Sequence, residues 1–123
     1  PTEGALLVVA ANYGIEPETI LASFPRISEI PFMSENLYMA TLHTAGAQHK
    51  ICVKGAPEKI LSLCSSVLSS NGPRALDQNI EHQIKEAIDQ MTSKALRLIA
   101  VAYCELDPIG DVLKENAFQG KLI

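Results

Sequence analysis

Residues 37–58 read LYMATLHTAGAQHKICVKGAPE, and this stretch decides the fold. Two runs, Leu37 to Thr44 and Gln48 to Lys54, are rich in residues that favour strands. Between them, Ala45-Gly46-Ala47 is typical of a short hairpin loop that contains glycine. The stretch therefore predicts an antiparallel hairpin, and Pro57 and Glu58 predict a helix that begins directly after it.

The residues before this hairpin predict a third strand. From Arg26 to Phe32, the apolar residues Ile27, Ile30 and Phe32 lie among polar neighbours, and Pro31 restricts the segment to an edge of the sheet or to a bulge. Residues 34–36 form the turn into the hairpin. Further upstream, the apolar segment from Pro1 to Ala11, with Gly14 as its stop, predicts a buried helix, and a second short helix is predicted from Pro17 to Ala22.

The residues after the hairpin predict two more helices and one more strand. The helix that opens at Ala56 is expected to carry one apolar face, and residues 65–75 are expected to form a surface loop. The members of that face are Ile60, Leu61, Cys64, Val67 and Leu68. Asp77 can cap an amphipathic helix whose apolar positions are Ile80, Ile84, Ala87, Ile88 and Met91. Leu96 to Tyr103 predicts a central strand covered on both faces, and Ala117 to Ile123 has strand-like character. The fold class is α+β, an antiparallel sheet flanked by α-helices, with one domain over residues 1–123.

Composition narrows the class of protein. The chain has 123 residues, of which 47% are hydrophobic and 20% are charged, which is enough for one globular core. The formal net charge of −4 argues against a nucleic-acid partner. The three cysteines form no CxxC pair and are expected to be reduced core thiols in a cytosolic setting. The longest apolar run, Ala5 to Ala11, is too short to cross a bilayer, and no signal peptide is visible.

Known catalytic motifs are absent from the sequence. There is no phosphate loop of the GxxxxGK[ST] type, no GxGxxG and no HExxH. A zinc site built from His43, His49, His82 and Cys52 is conceivable, but structural roles for these residues are favoured because they are scattered along the chain. The first residue is Pro and not Met, which suggests a piece of a longer polypeptide.

Four residues stand out as possible ligand contacts. Lys54 and Gly55 end a strand just before a helix, where glycine permits close approach of the backbone and lysine offers a charge suited to a polyphosphate. A plain turn with a solvated lysine is the alternative. Arg97, in an apolar strand, either reaches past the end of the sheet or lines a cleft. Phe32 is a core residue unless a partner argument makes it a stacking surface.

Four ordered segments carry a family resemblance. They are PTEGALL at residues 1–7, EIPFMSE at residues 29–35 followed by Met39, VKGAPE at residues 53–58, and LRLIAVA at residues 96–102. Together they resemble the nucleotide-binding (N) domain of P-type cation-transporting ATPases, nearest to the calcium-pump-like subgroup. The resemblance begins partway into the family's N domain, which implies that one or more upstream strands of that domain lie outside this chain.

The resemblance implies a nucleotide pocket. Phe32 would stack on adenine, Glu3 would accept a hydrogen bond from the adenine amino group, and Lys54 with Gly55 would form the floor. Met39 and Ile99 would be apolar walls, and Arg97 would reach the phosphates. Ser34 and Ala56, within the matched segments, complete the candidate set. Family members usually carry basic residues near the positions of Ser34, Asn36 and Leu37, so weak ATP binding with largely solvated phosphates is expected here.

The resemblance also implies a function. The chain would bind ATP, as Mg-ATP, and present its γ-phosphate to the phosphorylation domain of an ATP-driven cation pump. Its partners would be the phosphorylation and actuator domains of the same polypeptide. It would be a cytoplasmic domain of an integral membrane protein without direct membrane contact. The family's DKTGT aspartate and its membrane helices lie outside these residues, so the isolated chain is not expected to hydrolyse ATP.

Two other functions stay open on the sequence alone. One is a non-catalytic interaction module that pairs a partner with an open sheet edge, as the Pro-marked edge strand suggests. The other is a small hydrolase, which the lack of any nucleophile and base pattern disfavours.

Overall fold

The fold is an antiparallel sheet with helices, as a computed structural model of the chain shows. The structure describes residues 2–123, so the expected role of Pro1 in the first helical turn lies outside them. The helices are α1 (Thr2–Asn12), α2 (Pro17–Ser23), α3 (Pro57–Leu63) and α4 (Gln78–Ser93). The strands are β1 (Arg26–Met33), β2 (Tyr38–Ala45), β3 (Gln48–Gly55), β4 (Ser66–Ser69), β5 (Gly72–Ala75) and β6 (Ala100–Leu106), and a 3₁₀ turn covers Glu115–Ala117.

Four strands form the main sheet, in the order β1-β2-β3-β6, and all neighbours are antiparallel. The hairpin of β2 and β3 pairs Leu42 with Ile51 and closes at Ala45 and Gln48, which confirms the predicted loop. Strand β1 joins β2 with irregular register on both sides of its middle, as expected for an edge strand that contains Pro31. The predicted fold class and the three sequential antiparallel strands are confirmed.

The core lies on one face of this sheet, beneath α3 and the C-terminal residues. Side chains from β2, β3 and β6 that point to this face are buried because strand side chains alternate between faces. The cluster comprises Tyr38, Ala40, Leu42, Ile51, Val53, Ile60, Leu63, Ala102, Cys104, Leu113, Phe118 and Leu122. Tyr38 and Phe118 meet edge to face with ring centroids 5.8 Å apart, a geometry that adds to the burial of both rings.

Helix α4 forms as the sequence predicts. The Asp77 carboxylate accepts a hydrogen bond from the backbone N–H of Ile80 at 2.8 Å, which satisfies one of the free donors of the first turn. Ile80 and Ile88 are buried, and Ile84 and Met91 line an adjoining groove. The side of α4 that carries these four residues therefore faces the body of the domain, whereas Ala87, which was predicted to share it, is exposed.

The prediction for residues 64–75 was wrong in two respects. Helix α3 ends at Leu63, and Val67 and Leu68 lie in β4, not on a helix face. The supposed loop is a hairpin in which β4 pairs with β5. The C-terminal chain redirects the backbone here, since Gly120 N–H donates to Leu63 O while Ser65 N–H donates to Leu122 O. Those long-range hydrogen bonds have no local signal in the sequence.

Helix α1 is exposed, contrary to prediction. It has no buried side chain, and Val8 is 61% exposed. Its apolar residues point all round the helix, whereas residues 2–123 place only one face of the sheet beside it, so its outer side meets solvent. No helix in the described part of the chain is long and apolar enough to span a membrane.

The segment from Leu96 to Tyr103 was also predicted incorrectly. Strand β6 begins only at Ala100, and it is an edge strand of the main sheet whose Val101 is 67% exposed. Arg97 therefore precedes the strand. The last residues form a 3₁₀ turn and a short pairing in place of the strand-like segment predicted from Ala117, with Ile123 and Tyr103 exchanging both backbone hydrogen bonds.

Candidate functional site

A cleft of about 380 Å³ opens at one end of the sheet. We define the cleft by its lining residues, which come from the start of α1, the ends of β1 and β3, the start of β2 and the lead into β6. They are Thr2, Glu3, Phe32, Leu37, Met39, Lys54, Gly55, Ala56, Arg97, Leu98 and Ile99. All the candidate residues except Ser34 lie in this lining. Its volume falls within the range of about 300–1,000 Å³ typical of small-molecule sites.

Phe32 presents a flat apolar surface to the cleft. The ring follows Pro31 near the end of edge strand β1 and is 61% exposed. The ring therefore lies on the surface of the cleft and not in the core, where a phenylalanine is more often found. Such a ring can stack on a planar ligand.

Lys54 and Glu3 form an ion pair across the cleft. Lys54 lies on β3 opposite Met39 of β2, and its Nζ donates to Glu3 Oε1 at 2.6 Å. This hydrogen bond, together with the positive charge of Lys54, lowers the pKa of the Glu3 carboxyl below its usual range. Glu3 is fully ionised at neutral pH, and the pair places a hydrogen-bond acceptor beside a donor.

Gly55 permits a close approach between two strands. A Cβ added there would lie 2.7 Å from the Cα of Tyr38 and closer still to the carbonyl oxygen of Leu37, which accepts the Ala56 N–H at 2.9 Å. The tight neighbour within the chain is thus the backbone of Leu37 and Tyr38 at the start of β2. Leu37 has a positive φ of 61°, a conformation that costs a branched residue energy. This contact shapes the floor of the cleft.

Arg97, Leu98 and Ile99 approach the cleft from the other side. They follow the C-terminus of α4, where Ala95 takes a φ of 59° and turns the chain back towards the sheet. The Arg97 side chain is exposed, and it makes no ion pair or hydrogen bond among residues 2–123. Its guanidinium is available to an anion, and Ile99, which is 37% exposed, supplies an apolar wall.

Ser34 lies apart from the others. It is exposed in the turn between β1 and β2 and does not line the cleft. Sequence reasoning missed Thr2, Leu37 and Leu98, which do line it. Thr2 and Leu98 are neighbours of predicted residues, so adjacency was the signal that could have found them. Leu37 contributes through its unusual backbone, for which the sequence has no signal.

Two other cavities border the cleft. The larger of the two, about 510 Å³, is a groove between α3, α4, β4 and β6 whose lining side chains carry no charge. A smaller one, about 270 Å³, separates Leu6 of α1 from Cys52 and Val101 of the sheet, and it shares Met39 and Lys54 with the cleft. Among these, the cleft alone combines an exposed aromatic ring with cations and a carboxylate. The cleft with this combination of side chains is therefore not the cavity of greatest volume among the three.

The histidines are held by separate partners. The two ring nitrogens of His43 contact Phe24 O and Thr41 Oγ1, and His49 Nδ1 accepts from the Ile109 N–H. Residues 2–123 contain no group of three side chains placed to hold a metal ion. All three cysteines are free thiols, and burial raises the pKa of Cys104 to about 11, which leaves it protonated and unreactive.

Comparison with known proteins identifies the family. The family model described as "P-type ATPase, cytoplasmic domain N" matches residues 1–121. The chain is 40% identical over 123 residues to "Probable cation-transporting ATPase F" of Mycobacterium tuberculosis, covering 99% of this chain and 13% of that protein. It is 38% identical to "Cation-transporting ATPase pma1" of Synechocystis (88% and 12% covered) and 32% identical to "Calcium-transporting ATPase 1" of Bacillus cereus (94% and 13%). The chain thus spans about an eighth of the length of these relatives. It belongs to the family of P-type ATPase cytoplasmic N domains.

Proposed function

We propose that this chain binds ATP in the cleft, with adenine stacked on Phe32, as the nucleotide-binding domain of an ATP-driven cation pump. The observation that carries the proposal is that Phe32, Lys54 and Arg97, which are distant in sequence, line one cleft in a chain of the N-domain family. The same family membership disfavours the alternative of an interaction module built on an open sheet edge.

Adenine would bind at the end of the cleft that Phe32, Glu3 and Lys54 line. The exposed ring supports stacking on either face of a purine, worth about 1–3 kcal/mol per base. The paired carboxylate and ammonium offer an acceptor and a donor side by side, and the amino group and ring nitrogen of adenine offer the complementary groups. Gly55, Met39 and Ile99 enclose the base.

The phosphates would lie at the end of the cleft that Arg97 lines. Glu3 already neutralises Lys54, so Arg97 is the cation that the described lining offers to the triphosphate. The one carboxylate in that lining, Glu3, is engaged by Lys54, so Mg²⁺ would be held by the phosphates, as it commonly is in nucleotide sites. One arginine at an exposed position supports weak binding with phosphates that project from the domain.

The role in the whole protein follows from these two ends. The domain would hold ATP by its base and present the γ-phosphate to the phosphorylation domain of the same polypeptide, so that its contribution is positioning. The parent protein would couple ATP hydrolysis to cation transport, with actuator and phosphorylation domains as partners and this domain on the cytoplasmic side of the membrane. Residues 1–123 alone would bind ATP without hydrolysing it.

Isothermal titration with Mg-ATP tests this proposal. We expect Phe32→Ala to weaken binding by about tenfold, because roughly 1–3 kcal/mol of stacking is lost and 1.4 kcal/mol corresponds to a factor of ten. Tyr13→Ala is the matched control, since Tyr13 is 81% exposed and lies outside the cleft. Equal affinities for wild type, Phe32→Ala and Tyr13→Ala, or no binding to wild type, would contradict the proposal.

A further inference from the structure

The tip of the β4 and β5 hairpin presents an asparagine followed by a glycine. Strand β4 ends at Ser69 and β5 begins at Gly72, so the tip consists of Ser70 and Asn71. Asn71 is exposed, and its side-chain amide makes no hydrogen bond within residues 2–123. The Asn71 amide can therefore rotate towards the backbone of the next residue.

The residue after an asparagine decides how easily the chain attacks that side chain. The nucleophile is the backbone nitrogen of the following residue, and glycine has no side chain to hinder it. A Cβ added at Gly72 would meet no atom within 4 Å, so the space beside this nitrogen is open. Each of the other asparagines precedes a residue with a side chain. They are Asn12, Asn36, Asn79 and Asn116, followed by Tyr13, Leu37, Ile80 and Ala117.

We propose that Asn71 is a site of spontaneous deamidation in the folded domain. The Gly72 nitrogen attacks Cγ of Asn71, and the new C–N bond closes a succinimide ring. The side-chain nitrogen leaves as ammonia, with the proton that the Gly72 amide gives up. Water then adds to one of the ring carbonyl carbons and opens the ring to aspartate or isoaspartate. The modification needs only water as a co-reactant and does not involve the nucleotide cleft.

Isoaspartate changes the hairpin, because it lengthens the backbone by one methylene and adds a negative charge. Ser69 Oγ donates to Gly72 O at 2.7 Å and accepts from the Asn71 N–H at 3.2 Å. The additional backbone atom lies between the Cα of Asn71 and the nitrogen of Gly72, so it separates these partners. We therefore expect the pairing of β4 with β5 to loosen next to the tip.

Incubation of the whole chain at mildly alkaline pH, in water labelled with heavy oxygen, tests the proposal. The water that opens the ring leaves its oxygen in the new carboxylate, so peptide mass spectrometry measures conversion at each asparagine. We expect conversion at Asn71 to exceed that at any other asparagine by at least about tenfold, which corresponds to about 1.4 kcal/mol of activation free energy. A parallel incubation in urea shows how fast the unfolded chain reacts.

Two variants serve as controls. Asn71→Gln keeps an amide at the tip but would have to close a larger and less favourable ring, so the label should be lost from this peptide. Asn71→Asp supplies the negative charge without the additional backbone atom. Amide exchange in β4 and β5 should therefore become faster in the isolated isoaspartate form than in wild type, and stay unchanged in Asn71→Asp.

The possible outcomes decide the proposal without reference to ATP binding. Equal conversion at Asn71 and at the other asparagines, or conversion at Asn71 in urea alone, would overturn it. Label that persists in the Asn71→Gln peptide would do the same. No residue of the hairpin lines the cleft, so the Kd for Mg-ATP should be the same in wild type and Asn71→Gln.

Discussion

At the scale of single residues, the cleft depends on what individual positions can tolerate. Gly55 sits where no side chain fits against the backbone of β2, and Leu37 opposite it holds a strained left-handed conformation. The apolar ring of Phe32 is exposed to solvent, although burial of such a ring is favourable. These three positions all line the cleft.

Gly55→Ala should lower the free energy of unfolding by about 1–3 kcal/mol, the usual cost of forcing a methyl group into filled space. Tyr38 and Leu37 contact the site through their backbones, so neither can rotate away. Urea denaturation measures the change. Gly4→Ala is the matched control, because its added methyl meets no atom within 4 Å, and it should not destabilise the domain. A Gly55→Ala variant as stable as wild type would contradict the close approach.

Among single residues, the sequence predicted those candidate site residues that lie within recognisable motifs. Lys54, Gly55 and Ala56 stand in VKGAPE and Phe32 stands in EIPFMSE, and it was the resemblance of these segments to the N-domain family that implied a shared site. The conformation of Leu37 was not predictable, since leucine rarely takes a positive φ and nothing nearby signals it. The Glu3 to Lys54 ion pair joins residues 51 positions apart, beyond any local pattern.

At the scale of elements, α1 and α4 end in the same backbone arrangement, with glycine in the left-handed position after α1 and alanine in that position after α4. After α1, Gly14 N–H donates to Ala11 O and Ile15 N–H to Ala10 O, with Gly14 at a φ of 73°. After α4, Ala95 N–H donates to Thr92 O and Leu96 N–H to Met91 O, with alanine in the same left-handed conformation. This is the Schellman arrangement, in which glycine is preferred. The α4 stop directs Arg97 towards the cleft.

Ala95→Gly should raise the free energy of unfolding by about 0.5–1 kcal/mol, because glycine adopts a positive φ without the clash that alanine meets. Thermal denaturation followed by circular dichroism measures the gain. The reciprocal change, Gly14→Ala, should cost about 1 kcal/mol at the equivalent position of α1. A loss of stability in Ala95→Gly would show that the α4 stop is not strained.

Elements were predictable where periodicity and caps agreed. Helix α4 has both, and the β2 and β3 hairpin has two strand-like runs joined by a glycine loop. The end of α3 was not predictable, because Leu63 stops the helix through hydrogen bonds to residues near the C-terminus. The β4 and β5 hairpin was hidden for a related reason, since its serines, proline and glycine resemble a plain loop.

At the scale of the whole molecule, the C-terminal residues close one face of the sheet through a buried phenol. Tyr38 is 1% exposed and donates to Glu115 Oε2 at 2.7 Å, while Lys59 Nζ lies 3.5 Å from the other oxygen. Burial, and then the hydrogen bond and charge of Glu115, raise the pKa of Tyr38 above its usual range. The phenol stays protonated, so it remains a donor well above neutral pH.

Tyr38→Phe should lower the free energy of unfolding by about 1.5 kcal/mol, the low end for a hydrogen bond to a charged group, because Glu115 keeps Lys59 as a partner. Chemical denaturation measures the loss, and amide exchange near Glu115 should rise. Tyr13→Phe is the matched control, since Tyr13 is 81% exposed, and it should change neither quantity. If Tyr38→Phe changed neither the free energy of unfolding nor amide exchange near Glu115, the buried phenol would not anchor the C-terminal residues.

The whole arrangement was only partly predictable from sequence. The fold class follows from the order of strands and helices, and the antiparallel sheet follows from the hairpin. The exposure of α1 and the edge position of β6 do not, because an apolar segment shows that burial is favourable but not that another element lies beside it. The long-range contacts of residues 113–123 had no counterpart in any local pattern.

The most direct test of the central claim is a map of backbone amide shifts during titration of the labelled domain with Mg-ATP. The account predicts concerted shifts at Phe32, Lys54, Gly55 and Arg97, all fitted by one Kd, with little change in the β4 and β5 hairpin, none of whose residues lines the cleft. Shifts that leave these four amides in place, or that cluster in the apolar groove beside α4, would contradict it.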